Sequence, residues 1–148
     1  METRKKALER FSDQAFAMVE EYTANKGKPA PSPYFEPYKA FKRKAYALIR
    51  RTRLEQGGGQ LIKGIVRRYD VEPAHLHYKG NEFHFGLLAI DPEDEVLDAR
   101  KRSLLARQLT YAHLHDVPPK YLVGFLWQSG PTAEIPRKLK RKIGDVGD

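Results

Sequence analysis

Cysteine is absent from this chain of 148 residues. That excludes disulfides and thiolate metal sites, and it fits a reducing compartment. Long apolar runs are absent too, and no stretch is long enough to cross a membrane. The opening METRKKALERF has neither the apolar segment nor the small-residue site of a signal peptide, so a cytoplasmic protein without a membrane partner is expected. There is no dinucleotide fingerprint, no nucleophile elbow and no convincing pair of catalytic carboxylates. Gly57-Gly58-Gly59 lacks the following Gly-Lys-Ser/Thr of a phosphate loop. No cofactor is expected.

What the chain does have is positive charge, with 27 Lys and Arg against 19 Asp and Glu, for a net +8. The excess is local. Residues 1–25 hold four basic and five acidic side chains, a sum of −1, whereas residues 36–56 hold seven and two, a sum of +5. On a helix, Tyr38, Phe41, Ala45, Leu48, Ile49 and Thr52 of this second segment share one face. Lys39, Lys42, Arg43, Arg50 and Arg53 fall on a separate arc about 100° wide, with Tyr46 near its middle. Such a helix buries one side and presents cations around an aromatic ring on the other. That arrangement suits a polyanion, since the cations pair with phosphates and the ring offers a stacking surface.

The rest of the chain supplies a body for this helix. Leu8, Phe11, Ala15, Met18 and Tyr22 repeat at helical spacing, widened by Phe16 and Val19, and predict a core helix over 3–25. Four prolines between Lys28 and Pro37 predict a stiff connector, with Tyr34 and Phe35 anchoring it to the body. The three glycines end the basic helix and form a hinge before a short helix over 60–69. A further helix is expected from Asp91-Pro92-Glu93-Asp94 to about His115. Its buried side would be Leu97, Leu104, Leu105, Tyr111 and Ala112, with Arg100, Arg102 and Arg107 outside. Tyr121 to Gln128 is apolar on all sides and reads as a short buried helix or a strand, with helix preferred.

Between these, His75 to Ile90 alternates. Leu76, Tyr78, Phe83, Phe85 and Leu87 lie to one side, and His75, His77, Lys79, Glu82 and His84 to the other, around Gly80-Asn81. This predicts a β-hairpin pairing Lys79 with Glu82, Tyr78 with Phe83 and His77 with His84. The expected fold is therefore α+β and mostly helical: four or five helices on one antiparallel hairpin. Residues 1–130 would form one globular domain, followed by a basic tail over 131–148.

Three readings compete for the hairpin histidines. His75, His77 and His84 could chelate a divalent metal. His77 and His84 could act as acid and base in RNA cleavage, with Lys79 stabilising the phosphate. The third, preferred because no fixed second shell is visible for a metal, is a polar face without chemistry, so neither a catalytic nor a metal site is assigned. His75-Leu76-His77 resembles the paired-histidine motif of the HUH single-strand endonucleases. That resemblance implies metal chelation by the pair and attack on DNA by a tyrosine on a later helix, here Tyr111. The spacing of Arg107 and His113 similarly resembles the Arg–His motif of helical HEPN ribonucleases.

The leading expectation is non-enzymatic contact with nucleic acid, RNA or DNA. Lys39, Lys42, Arg43, Arg50 and Arg53 would meet phosphates, Tyr46 would stack, and Arg137, Lys138, Lys140, Arg141 and Lys142 of the tail would add electrostatic affinity. The alternatives are a small structural subunit of a larger protein or ribonucleoprotein assembly, held by its connector and tail, and the histidine-dependent nuclease.

Overall fold

The structure, a computed structural model, describes residues 3–128. Six α-helices follow in order: α1 (Arg4–Asn25), α2 (Pro37–Leu54), α3 (Gly58–Arg68), α4 (Glu82–Ile90), α5 (Ala99–Leu114) and α6 (Leu122–Gln128). Two single turns of 3₁₀ helix, Pro33–Phe35 and Pro119–Tyr121, lead into α2 and α6. Proline opens both turns and α2 as well, where its fixed φ and missing N–H cost nothing.

The predicted hairpin does not form, and there is no strand among the described residues. The fold is all-helical, which corrects the α+β expectation. Residues 71–81 make an irregular loop, and the stretch read as the second strand is α4. Gly80, at φ +88°, turns the chain so that Asn81 precedes a helix instead of closing a hairpin. The cause of the misreading is burial. Phe83, Phe85, Gly86, Leu87, Leu88, Ala89 and Ile90 of α4 are all buried, and a helix covered on every side has no polar face to reveal its period. The alternation of Phe83, Phe85 and Leu87 was coincidental.

Helix α4 is the hub of the molecule, touching α1, α2, α3 and α5. Fully burying Phe83, Phe85 and Leu87 contributes about 1.5–3 kcal/mol each. Around it pack Phe11, Ala15, Met18 and Val19 of α1 and Phe41, Ala45, Leu48 and Ile49 of α2. Ile62 and Val66 of α3 and Leu105 and Leu109 of α5 complete the shell. The amphipathic stripe expected for α1 is largely present, except that Phe16 points to solvent at 70% exposure.

Two boundaries move. Helix α5 begins at Ala99 with Asp98 as its cap, Oδ1 accepting from Lys101 N at 2.8 Å. Asp91 instead staples the loop before it. Its carboxylate accepts from the backbone N–H groups of Glu95, Val96 and Leu97 at 2.8–3.0 Å. The glycine triplet forms no separate hinge either. Gly57, in the left-handed region, is the cap of α3, and Gly58 and Gly59 are its first two residues. The segment 122–128 is helix α6, as preferred from the sequence, but it is not the buried element expected there, since Leu122 is its one buried residue and Trp127 is 85% exposed.

Candidate functional site

Helix α2 buries Phe41, Ala45, Leu48, Ile49 and Thr52 as its pattern predicts, but it buries Tyr46 with them. The Tyr46 ring is stacked on Phe83 with centroids 5.8 Å apart, and its hydroxyl donates to the Val117 carbonyl at 2.7 Å. With no exposed surface, it cannot stack on a base, and that expected role is withdrawn. The reason is coverage by elements far along the chain: α4 and the segment entering α6 both pack against α2.

The cations expected beside it are all half-buried, and four of the five are already engaged. Arg50 donates to Val117 O at 2.5 Å and pairs with Asp116 at 3.1 Å. Arg43 donates to the Tyr34 carbonyl at 2.6 Å and lies 3.6 Å from the centre of the Tyr34 ring. Lys42 sits 4.6 Å from the centre of the Tyr38 ring. Burial and then neighbouring Lys39 lower its pKa, while burial pushes the Tyr38 phenol up to about 12. Lys39 pairs with Glu36 at 3.3 Å, one helical turn away. Arg53 has no hydrogen-bond or ion-pair partner among the described residues, and its charge bears on Tyr78 and His113. The tail cations Arg137, Lys138, Lys140, Arg141 and Lys142 lie outside the described residues.

Where α2 meets the connector and α6, the structure has an open groove of about 690 Å³. The connector contributes Pro33 and Tyr34, α2 contributes Lys39, and the segment 115–121 contributes Asp116, Lys120 and Tyr121 among others. Val123, Gly124, Phe125 and Gln128 of α6 close the far side. Tyr34 is 41% exposed and Tyr121 59% exposed, and each ring has a cation at one face: Arg43 on Tyr34, and Lys120 at 5.0 Å on Tyr121. Tyr34 and Phe35 were expected to anchor the connector to the body, but Phe35 is 58% exposed and Tyr34 is not buried either. Instead its backbone and ring are gripped by Arg43 while much of the ring stays in water. Trp127, one turn beyond Val123, is 85% exposed. No sequence motif marked Tyr34, Lys120 and Tyr121 as partners, since 85 residues separate the first two.

The histidines separate once the hairpin is gone. His75 and His77 are exposed in the loop before α4, and His84 is half-buried on the helix. His77 accepts at its carbonyl from the Asn81 side chain, and Lys79 makes no pair with Glu82 among the described residues. The opposed His77–His84 pair required for acid–base cleavage is therefore not assembled. Tyr111 packs on His115 and Phe125, at 4.6 and 5.6 Å, and does not line the cleft that holds His75 and His84. No group of three or more His, Cys, Asp or Glu is placed to hold a metal among the described residues. Arg107 lines the His75–His84 cleft, whereas His113 is about 120° away from it around α5, its ring 5.5 Å from Phe83. The two do not share a site.

That cleft, about 610 Å³ between the loop 71–81, α4 and α5, also contains Arg102. Expected outside the buried side of α5, Arg102 is 9% exposed and donates from Nη1 to Asp94 at 2.6 Å. Burial, Arg102 and His75, in that order, depress the His84 pKa. The chain matches no protein-family model, and neither a curated protein nor a solved structure shows significant similarity to it.

Proposed function

We propose that the chain binds single-stranded nucleic acid in the groove between the connector, the start of α2 and α6. The observation that carries this reading is the pairing of exposed rings with cations along one groove: Tyr34 with Arg43, Tyr121 with Lys120, and Lys39 between connector and helix. Sequence-tolerant single-strand binders combine these two elements, a ring on which a base stacks and a cation for the adjoining phosphate. The Lys39–Glu36 pair joins a half-buried lysine to an exposed carboxylate and is of the i, i+3 kind, so it opposes exchange for a phosphate by only about 0.5 kcal/mol. Asp116, on the groove wall, is paired with Arg50. Relative to the sequence-based expectation the aromatic element of the proposal moves from Tyr46 to Tyr34 and Tyr121, and of the five helix cations the proposal retains Lys39 and Arg43.

The test is binding of short labelled single-stranded RNA and DNA by the full chain across a salt series. Two to four phosphates engaged give a log–log slope of about −1.4 to −2.8. A second reading, an assembly subunit, is favoured by Trp127 and Phe35, 85% and 58% exposed. It requires association with protein that is insensitive to salt. Absence of oligonucleotide binding at low salt would leave that reading in place of the first.

A further inference from the structure

The cleft between α4, α5 and the loop 71–81 has a property the groove lacks: a buried cation with a donor left over. Arg102 is nine-tenths buried, lines the cleft, and uses Nη1 on Asp94, but its Nε is buried with no acceptor. Buried N–H groups of charged side chains are rarely left in that state, because the proton gives up water and gains nothing. The pair with Asp94 compensates the guanidinium on one edge, and half of the Asp94 side chain stays in solvent. Around the cleft stand Arg107, His75, His84 and the Ser103 hydroxyl, with no carboxylate among the lining residues. Opposite them is an apolar wall of Val71, Leu76 and Leu88.

We propose that this cleft binds a small phosphorylated molecule, its phosphate on the Arg102 guanidinium and Arg107 and its organic body against Leu76 and Leu88. The donor set is richer than a carboxylate's two oxygens can use, whereas a phosphate monoester offers three outer oxygens to charge-assisted donors. Arginine suits the role better than lysine, because its fork bonds Asp94 and the ligand at once from fixed positions. A neutral His84 still offers one N–H donor. The cleft's volume falls in the range of small-ligand sites and far exceeds a single phosphate ion. This site is separate from the groove and does not depend on the nucleic-acid reading.

The experiment is an NMR titration of the ¹⁵N-labelled full chain at constant ionic strength, following the arginine Nε–H resonances. The probes are phenyl phosphate, inorganic phosphate and phenol. Phenyl phosphate is expected to move the Arg102 Nε–H resonance saturably, inorganic phosphate to do so more weakly, and phenol not at all. Arg107→Gln, at an exposed position, is expected to weaken phenyl phosphate about tenfold, and His84→Ala to weaken it as well. These two variants carry the test if Arg102→Gln does not fold. An Arg102 resonance that stays still overturns the proposal, as does undiminished affinity in both variants. So does displacement of phenyl phosphate by a single-stranded oligonucleotide, which would assign the cleft to nucleic-acid phosphates.

Discussion

Tyr46 and Val117 are joined by a hydroxyl-to-carbonyl bond of 2.7 Å, and Arg50 donates to the same carbonyl at 2.5 Å. Val117 belongs to the groove wall, so two residues of α2 fix the position of a segment 67 and 71 residues further along the chain. Because Arg50 keeps the carbonyl satisfied, Tyr46→Phe is expected to cost only about 1 kcal/mol of stability, read as a small drop in the urea midpoint. It should leave oligonucleotide affinity unchanged. A large loss of affinity in Tyr46→Phe would return Tyr46 to the ligand.

The groove makes a different demand on its own rings and cations. Tyr34→Ala and Tyr121→Ala each remove a stacking surface worth about 1–3 kcal/mol per base, so affinity for single strands should fall at every salt concentration without a change of slope. Lys39→Gln and Lys120→Gln should instead each flatten the salt dependence by about 0.7 in log–log slope. Fluorescence anisotropy on the same oligonucleotide separates the two effects. Equal slopes in wild type and both lysine variants would remove those lysines from contact with phosphate.

How far the sequence reaches follows from which faces are wet. Helices α1, α2 and α5 show their period because each keeps a solvent face. For α1 and α2 most of the buried positions could be assigned; for α5, Leu105 and Ala112 were found, but Leu104 and Tyr111 are only half-buried, and Arg102, Ala106, Gln108 and Leu109 were missed. Helix α4 shows no period because it is the core, and its chance alternation of aromatic and polar residues imitates a strand. Tyr46 was misplaced for a related reason. Angular position around α2 sets it among cations, but only the tertiary arrangement shows that α4 and the Val117 segment cover that arc. Arg102 was assigned to water by its charge, and its acidic partner, Asp94, lies in a turn outside the helix. Neither the groove nor the cleft has a local motif, since each is assembled from segments far apart in the chain.

Asp91 concentrates an unusual amount of loop structure in one carboxylate. It is 1% exposed and accepts three backbone N–H groups. Burial raises its pKa, and those three bonds oppose the rise. Asp91→Ala strands three donors, at least two of them buried, and should cost about 3 kcal/mol. Asp91→Asn, which keeps one accepting oxygen, should lose clearly less. Chemical denaturation of the two variants side by side measures the difference, and equal losses would mean that the side chain's volume matters more than its bonds.

Two histidines make stability depend on pH. His84 and His113 both have pKa values lowered from 6.5, first by burial, then by Arg102 and His75 for His84, and by Arg53 and Arg50 for His113. The His113 Nδ1 is buried with no partner. In the unfolded chain both imidazoles take up a proton near the ordinary value, whereas in the folded chain they resist until lower pH. Between those two points the unfolded state binds more protons, so stability falls as pH drops through 6.5 and levels off below the folded values. Urea midpoints measured from about pH 7.5 to 5.5 should show this decline, and His113→Asn should remove part of it. A flat profile in the wild type would exclude the effect.

Gly86 and Ile49 set how closely the hub helix approaches α2. A Cβ built on Gly86 would lie 2.6 Å from Ile49 Cγ1, 2.7 Å from Cδ1 and 3.0 Å from Cγ2. Ile49 has no exposed surface and therefore no free direction in which to yield. Gly86→Ala should thus destabilise by about 1–3 kcal/mol through overpacking, despite alanine's better helix propensity. Gly64, within α3, is the control: the nearest outside atom to its Cβ position is the Arg4 guanidinium at 3.9 Å. There the same substitution meets ordinary contact and should stabilise by up to about 1 kcal/mol. Opposite signs in thermal unfolding are the expected result. A neutral Gly86→Ala would show that α4 and α2 can separate without cost, and that the core does not depend on this close approach.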